Sequence, residues 1–105
     1  MKSKPEPDPV FSGEPVPDKL ISFLQSSNID GNVLVSAVKL IRARDAFGRD
    51  KYGQPLMSKD GRDDIEDAMQ ELGDLMQYAF KARMNGRSLD KLRELTVALD
   101  LILNG

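Results

Sequence analysis

From Asp63 to Met84, in the stretch DDIEDAMQELGDLMQYAFKARM, an apolar residue recurs every three or four positions and no proline interrupts it. A period near 3.6 specifies an amphipathic α-helix and excludes a strand, whose faces alternate at every residue. With 100° per residue, Ile65, Ala68, Met69, Leu72, Leu75, Met76, Ala79 and Phe80 fall in one arc about 140° wide, the expected core face. The helix is expected to start near Asp60 or Asp63 and to stop at Asn85 and Gly86, because Asn-Gly is a frequent helix end.

The same period organises the rest of the chain. Leu20, Ile21, Phe23 and Leu24 follow Asp18, a suitable N-cap beside Pro17, and predict a short helix. Leu34, Ala37, Val38 and Ile41 share a stripe after a potential cap at Asn32 and predict a helix over 33–47. Ser88 is the expected cap of a last helix carrying Leu92, Leu95, Leu99, Ile102 and Leu103. No segment alternates with a period of two, so the expectation is an all-α fold, a small helical bundle of about four helices. Residues 48–62, GRDKYGQPLMSKDGR, hold three glycines and a proline and predict a long loop, a length more often functional than idle.

The first eighteen residues hold five of the six prolines and three large apolar residues after Met1, so they are expected to form an extended arm, with 19–105 as the folded domain. A domain this small buries only a marginal core, which predicts completion by homo-oligomerisation, as a homodimer or homotetramer.

A net charge of -2 argues against duplex nucleic acid as a partner, since phosphate contacts need a basic surplus. The absence of cysteine excludes disulfides, thiolate zinc sites and cysteine nucleophiles, and the absence of histidine makes zinc chemistry an unlike match. No apolar run approaches the roughly 20 residues that span a bilayer, and no signal peptide is visible. A soluble protein of the cytoplasm, with no membrane partner, is the expectation.

Charge is segregated along the chain. Residues 39–51 carry Lys39, Arg42, Arg44, Arg49 and Lys51, whereas residues 60–74 carry seven acids against Arg62 alone. On the helical wheel Asp63, Asp67, Glu71 and Asp74 lie within about 80° of one another, next to the apolar arc, and Tyr78 joins them. Like charges at i and i+4 cost about 0.2–0.5 kcal/mol per pair unless a cation compensates. A hard divalent ion suits such a stripe, because Mg²⁺ prefers oxygen ligands, commonly one or two carboxylates with waters and substrate phosphates. A solvated face, or a set of acids paired with Arg42, Arg44 or Lys51, accounts for the same pattern. The words KYGQPL offer a cation, an aromatic ring and turn formers, suited either to a nucleotide or to a structural loop with Tyr52 against the bundle end.

The stretch QELGDLMQYAF, residues 70–80, resembles the second metal-binding motif of the MazG-like all-α nucleotide pyrophosphohydrolases, a Glu-x-x-Asp on a helix matched by Glu71 and Asp74. The longer pattern RDAFGRDKYGQPL followed by GRDDIEDAMQELGDLMQY is similar to small phage-encoded members that act on deoxynucleoside triphosphates; it covers about a third of the chain. The resemblance implies a helical homo-oligomer that uses Mg²⁺ or Mn²⁺ to cleave a nucleoside triphosphate to the monophosphate and pyrophosphate. It implies Glu71 and Asp74 as metal ligands, with Asp67 and Asp63 as additional ones and Glu71, Asp74 and Asp67 as the catalytic set. Arg44, Lys51 and Arg62 would then meet phosphates, and Tyr52 the base or sugar. In the wider family an earlier helix supplies a Glu-x-x-Glu, yet residues 19–65 contain no glutamate and the 33–47 helix offers only Asp45. Either Asp63 and Asp67 replace the missing pair, or the chain binds or sequesters a nucleotide without turning it over.

Overall fold

A computed structural model describes residues 12–105, which form four helices and a two-stranded antiparallel sheet. In chain order the elements are β1 (Ser12–Pro15), α1 (Val16–Gln25), α2 (Gly31–Tyr52), β2 (Met57–Lys59), α3 (Asp64–Met84) and α4 (Asp90–Asn104). The predominantly helical character expected from periodicity holds. The sheet was not anticipated, because strands of four and three residues are too short to display a period of two.

The sheet takes up part of the segment expected to be an extended arm. Residues 12–18, assigned to that arm, supply β1 and the first turn of α1, while residues 1–11 lie outside the described residues. The pairing relies on backbone and small polar groups, so it needs few apolar side chains. The Glu14 N–H donates to Ser58 Oγ at 2.9 Å, Ser12 Oγ donates to the Lys59 carbonyl at 3.2 Å, and the Val16 N–H donates to the Leu56 carbonyl at 2.8 Å. Gly13 makes this approach possible: its φ is +87°, and a Cβ there would lie 2.2 Å from Ser58 Oγ.

α1 begins at Val16, ahead of the expected cap at Asp18, because prolines suit the first helical positions, where no intrahelical N–H bond is needed. Asp18 lies instead in the first turn, where its charge complements the helix dipole. α2 is capped by Asp30 rather than Asn32, the Asp30 carboxylate accepting the Asn32 N–H at 2.8 Å. It also runs past the expected end at residue 47. One helical glycine, Gly48, costs only about 1 kcal/mol against alanine, and the Arg49–Asp45 pair at 2.8 Å braces the turn around it. The helix stops at Gly53, whose left-handed φ of +80° forms the cap and whose N–H donates to the Arg49 carbonyl at 2.7 Å. The predicted 48–62 loop is correspondingly shorter and contains β2.

The core lies where α1, the first half of α2 and α4 meet. Leu24, Ala37 and Ala98 are buried there, with Leu20, Ile29, Leu34, Ile41, Leu95 and Leu101 packed around them. α3 stands apart. It contains no buried residue and packs closely against no other element. Its apolar arc, expected to face the core, is open: Met76 is 61% exposed and Ile65 74%. Burying such a side chain fully is worth about 1.5–3 kcal/mol, a gain that α3 does not collect among the described residues. The Cα radius of gyration, 15.7 Å, exceeds the about 13 Å of a packed domain of this length accordingly. Among the described residues no helix is long and apolar enough to cross a membrane.

Candidate functional site

The acidic stripe is positioned by the way α3 starts. Asp60, buried at the end of the β2 loop, accepts the Arg62 N–H on its Oδ1 at 3.1 Å, and Gly61 takes a φ of +77° to turn the chain. Asp63 then caps α3, its Oδ1 accepting the Glu66 N–H at 3.0 Å. The sequence reading placed Asp60 only as a potential helix start; the Asp-Gly pair at 60 and 61 was the signal for its turn role.

Arg62 reaches across the first turn of α3. Its Nε and Nη2 donate to the two carboxylate oxygens of Asp67, both at 2.9 Å, a two-pronged geometry that suits a guanidinium and a carboxylate. The hydrogen bond from Arg62 holds the Asp67 carboxyl below the usual carboxylate range, its charge adds to this, and partial desolvation opposes it. Of the four stripe acids, Asp63 is therefore engaged as a cap and Asp67 by Arg62. Glu71 and Asp74, one turn apart and exposed, have no hydrogen-bond or ion-pair partner among the described residues.

The basic and aromatic candidates belong to the second half of α2. The Arg44 guanidinium lies over the Phe47 ring, 4.5 Å from its centroid, and Lys51 Nζ lies 5.2 Å from the centroid of Tyr52 at the helix end. No hydrogen bond or ion pair joins Arg44, Lys51 or Tyr52 to Asp63, Glu71 or Asp74 among the described residues. The same half of α2 carries Asp45, whose Oδ2 pairs with Arg49 while its Oδ1 is buried without a partner; Gln54 Nε2, just beyond the helix, is likewise unpartnered. A buried polar atom left unpaired costs about 1–3 kcal/mol, so a ligand or water at either would be favoured.

Among the described residues no three carboxylates converge as a ready-made metal cage. The donor chemistry fits a smaller set. Mg²⁺ commonly takes one or two protein carboxylates and draws its remaining oxygens from water and phosphate, and Glu71 and Asp74 are two open carboxylates one turn apart on one helix. A groove lined by Glu14, Lys19, Phe23 and Ile102 lies between the sheet, α1 and α4 and includes none of the predicted site residues. No protein family, curated protein or solved structure matches this chain.

Proposed function

We propose that the protein is a metal-dependent nucleoside triphosphate pyrophosphohydrolase that acts as a homo-oligomer. The observation that carries this reading is the pair Glu71 and Asp74, open on α3 while the neighbouring Asp67 holds Arg62 at the mouth of the loop. The resemblance of these residues to the MazG-like Glu-x-x-Asp motif supports it.

In this reading Glu71 and Asp74 would hold Mg²⁺ or Mn²⁺, which would supply neutralisation of phosphate charge and a more acidic bound water. Arg62, held by Asp67, places its positive charge beside the stripe, where it favours a phosphate. Lys51 and Arg44 add positive charge from α2, and the Tyr52 ring offers a face to the base or sugar. Water attacks the α-phosphorus, the bond to the bridging α–β oxygen breaks, and pyrophosphate leaves with that oxygen.

A second reading has an observation of its own. With no three carboxylates converging and no Glu-x-x-Glu upstream, the protein is alternatively a helical oligomer that binds or sequesters a nucleotide intact. Pyrophosphate release from a panel of common ribo- and deoxynucleoside triphosphates, with Mg²⁺, with Mn²⁺ and with chelator, separates the two. The enzyme reading predicts chelator-sensitive release that Glu71→Ala abolishes, with stability changed by no more than about 0.5 kcal/mol, as for other exposed sites. Thermal stabilisation by a nucleotide that is recovered intact would support the second reading and remove the first.

A further inference from the structure

α3 is amphipathic along its whole length, yet among the described residues its apolar side packs closely against no other element. The open arc runs from Ile65 to Phe80, and Met84, 73% exposed, extends the apolar surface at the helix end. Most helical stability in proteins comes from packing of the apolar face rather than from intrinsic propensity. What covers this face is indicated by its charges. The first turn holds Asp64, Glu66 and Asp67, and the last holds Lys81 and Arg83. A parallel neighbour of the same sequence would set acid against acid, whereas an antiparallel one sets the acidic end of each helix against the basic end of the other.

Arg83 sharpens the case. It lies 18 residues, five full turns, from Ile65 and so falls inside the apolar arc. Neither Arg83 nor Asp64 nor Glu66 has an ion-pair partner among the described residues. Asp74 is the midpoint of α3, so an antiparallel pair centred there sets Leu72 against the partner's Met76 and Met69 against the partner's Ala79. In that register Arg83 meets the partner's Ile65, between the partner's Asp64 and the partner's Glu66.

We propose that α3 pairs antiparallel with α3 of a second copy about a two-fold axis near Asp74, closing the apolar arc and seating each Arg83 between two acids of the other chain. This deepens the homo-oligomer part of the function proposed above. It is tested by mass and cross-linking rather than by pyrophosphate release, so either can fail without the other.

The chain has no cysteine, so introduced thiols report without background. The Met69→Cys/Ala79→Cys variant of the full chain is expected to form covalent dimers on mild oxidation. Neither single variant should, because like positions would sit about 15 Å apart along the helices, beyond the roughly 7 Å Cα separation that a disulfide tolerates. Sedimentation equilibrium of the natural chain should give twice its 11.7 kDa mass. Arg83→Glu should weaken association about tenfold or more, and adding Asp64→Lys and Glu66→Lys should restore it, with circular dichroism confirming unchanged helix content. A chain-sized mass at tens of micromolar overturns the proposal. So do covalent dimers from Met69→Cys alone, which indicate a parallel pair, or a dimer that the double-cysteine variant never links, which indicates another surface.

Discussion

Leu24 and Met76 occupy the same kind of position, an apolar residue on the inner stripe of an amphipathic helix, yet Leu24 is 1% exposed and Met76 61%. The first lies where α1, α2 and α4 close on one another; the second lies on a helix that the other described residues leave largely uncovered. The difference teaches that periodicity identifies which face of a helix must be buried but is silent about which molecule buries it. In this protein the two regions divide the work: the closed one holds the fold, and the open one carries the acids proposed to act on phosphate.

The most direct way to break this comparison is to make the same truncation in both regions. Leu24→Ala should destabilise the chain by about 2–5 kcal/mol in chemical denaturation, the usual cost of emptying a packed site. Met76→Ala, measured at a concentration dilute enough for single chains, should change stability by no more than about 0.5 kcal/mol. Equal losses would mean that α3 is covered within its own chain. Gly13→Ala tests the edge of the closed region: with φ at +87° and Ser58 Oγ in the way, it should cost more than about 1 kcal/mol and loosen β1 from β2, read as a fall in thermal midpoint.

These expectations rest on features that differed in how far the sequence displayed them. The four helices were visible because each repeats its apolar residues at helical spacing, and Asp63 was one of the two expected starts of α3. The β1–β2 pairing was not, since Gly13 and Ser58 achieve it through backbone conformation and one hydroxyl rather than through a pattern. The end of α2 was misplaced because Gly48 reads as a breaker, while the brace across it, Asp45 to Arg49, is a side-chain contact. Of the candidate site, the stripe was legible as a wheel position. That Asp67 is engaged by Arg62 while Glu71 and Asp74 stay open was not, because it depends on where the Asp60–Gly61 turn aims the arginine.

Smaller effects sharpen the comparison from the open side. Asp63→Ala removes the cap of a helix that has little tertiary support, and should cost about 0.5–2 kcal/mol, seen as lost helicity near residue 64 rather than as global unfolding. The Arg62–Asp67 pair predicts a local pH response. Because the Asp67 carboxyl is held below its ordinary range, its contribution is complete above the unfolded carboxylate value and is lost as pH falls through the lower folded value. Acid titration followed by carboxyl NMR should show Asp67 protonating at a lower pH than it does in Arg62→Ala. Coincident curves would remove Arg62 as the cause.

The central claim is that the apolar face of α3 is closed by a second molecule, and amide hydrogen exchange at several protein concentrations tests it most directly. Amides around Leu24 and Ala37 should show local opening that is independent of concentration, whereas protection across Ile65 to Phe80 should rise with concentration as the second copy binds. Protection of α3 equal to that of the closed region at the lowest concentration would contradict the account.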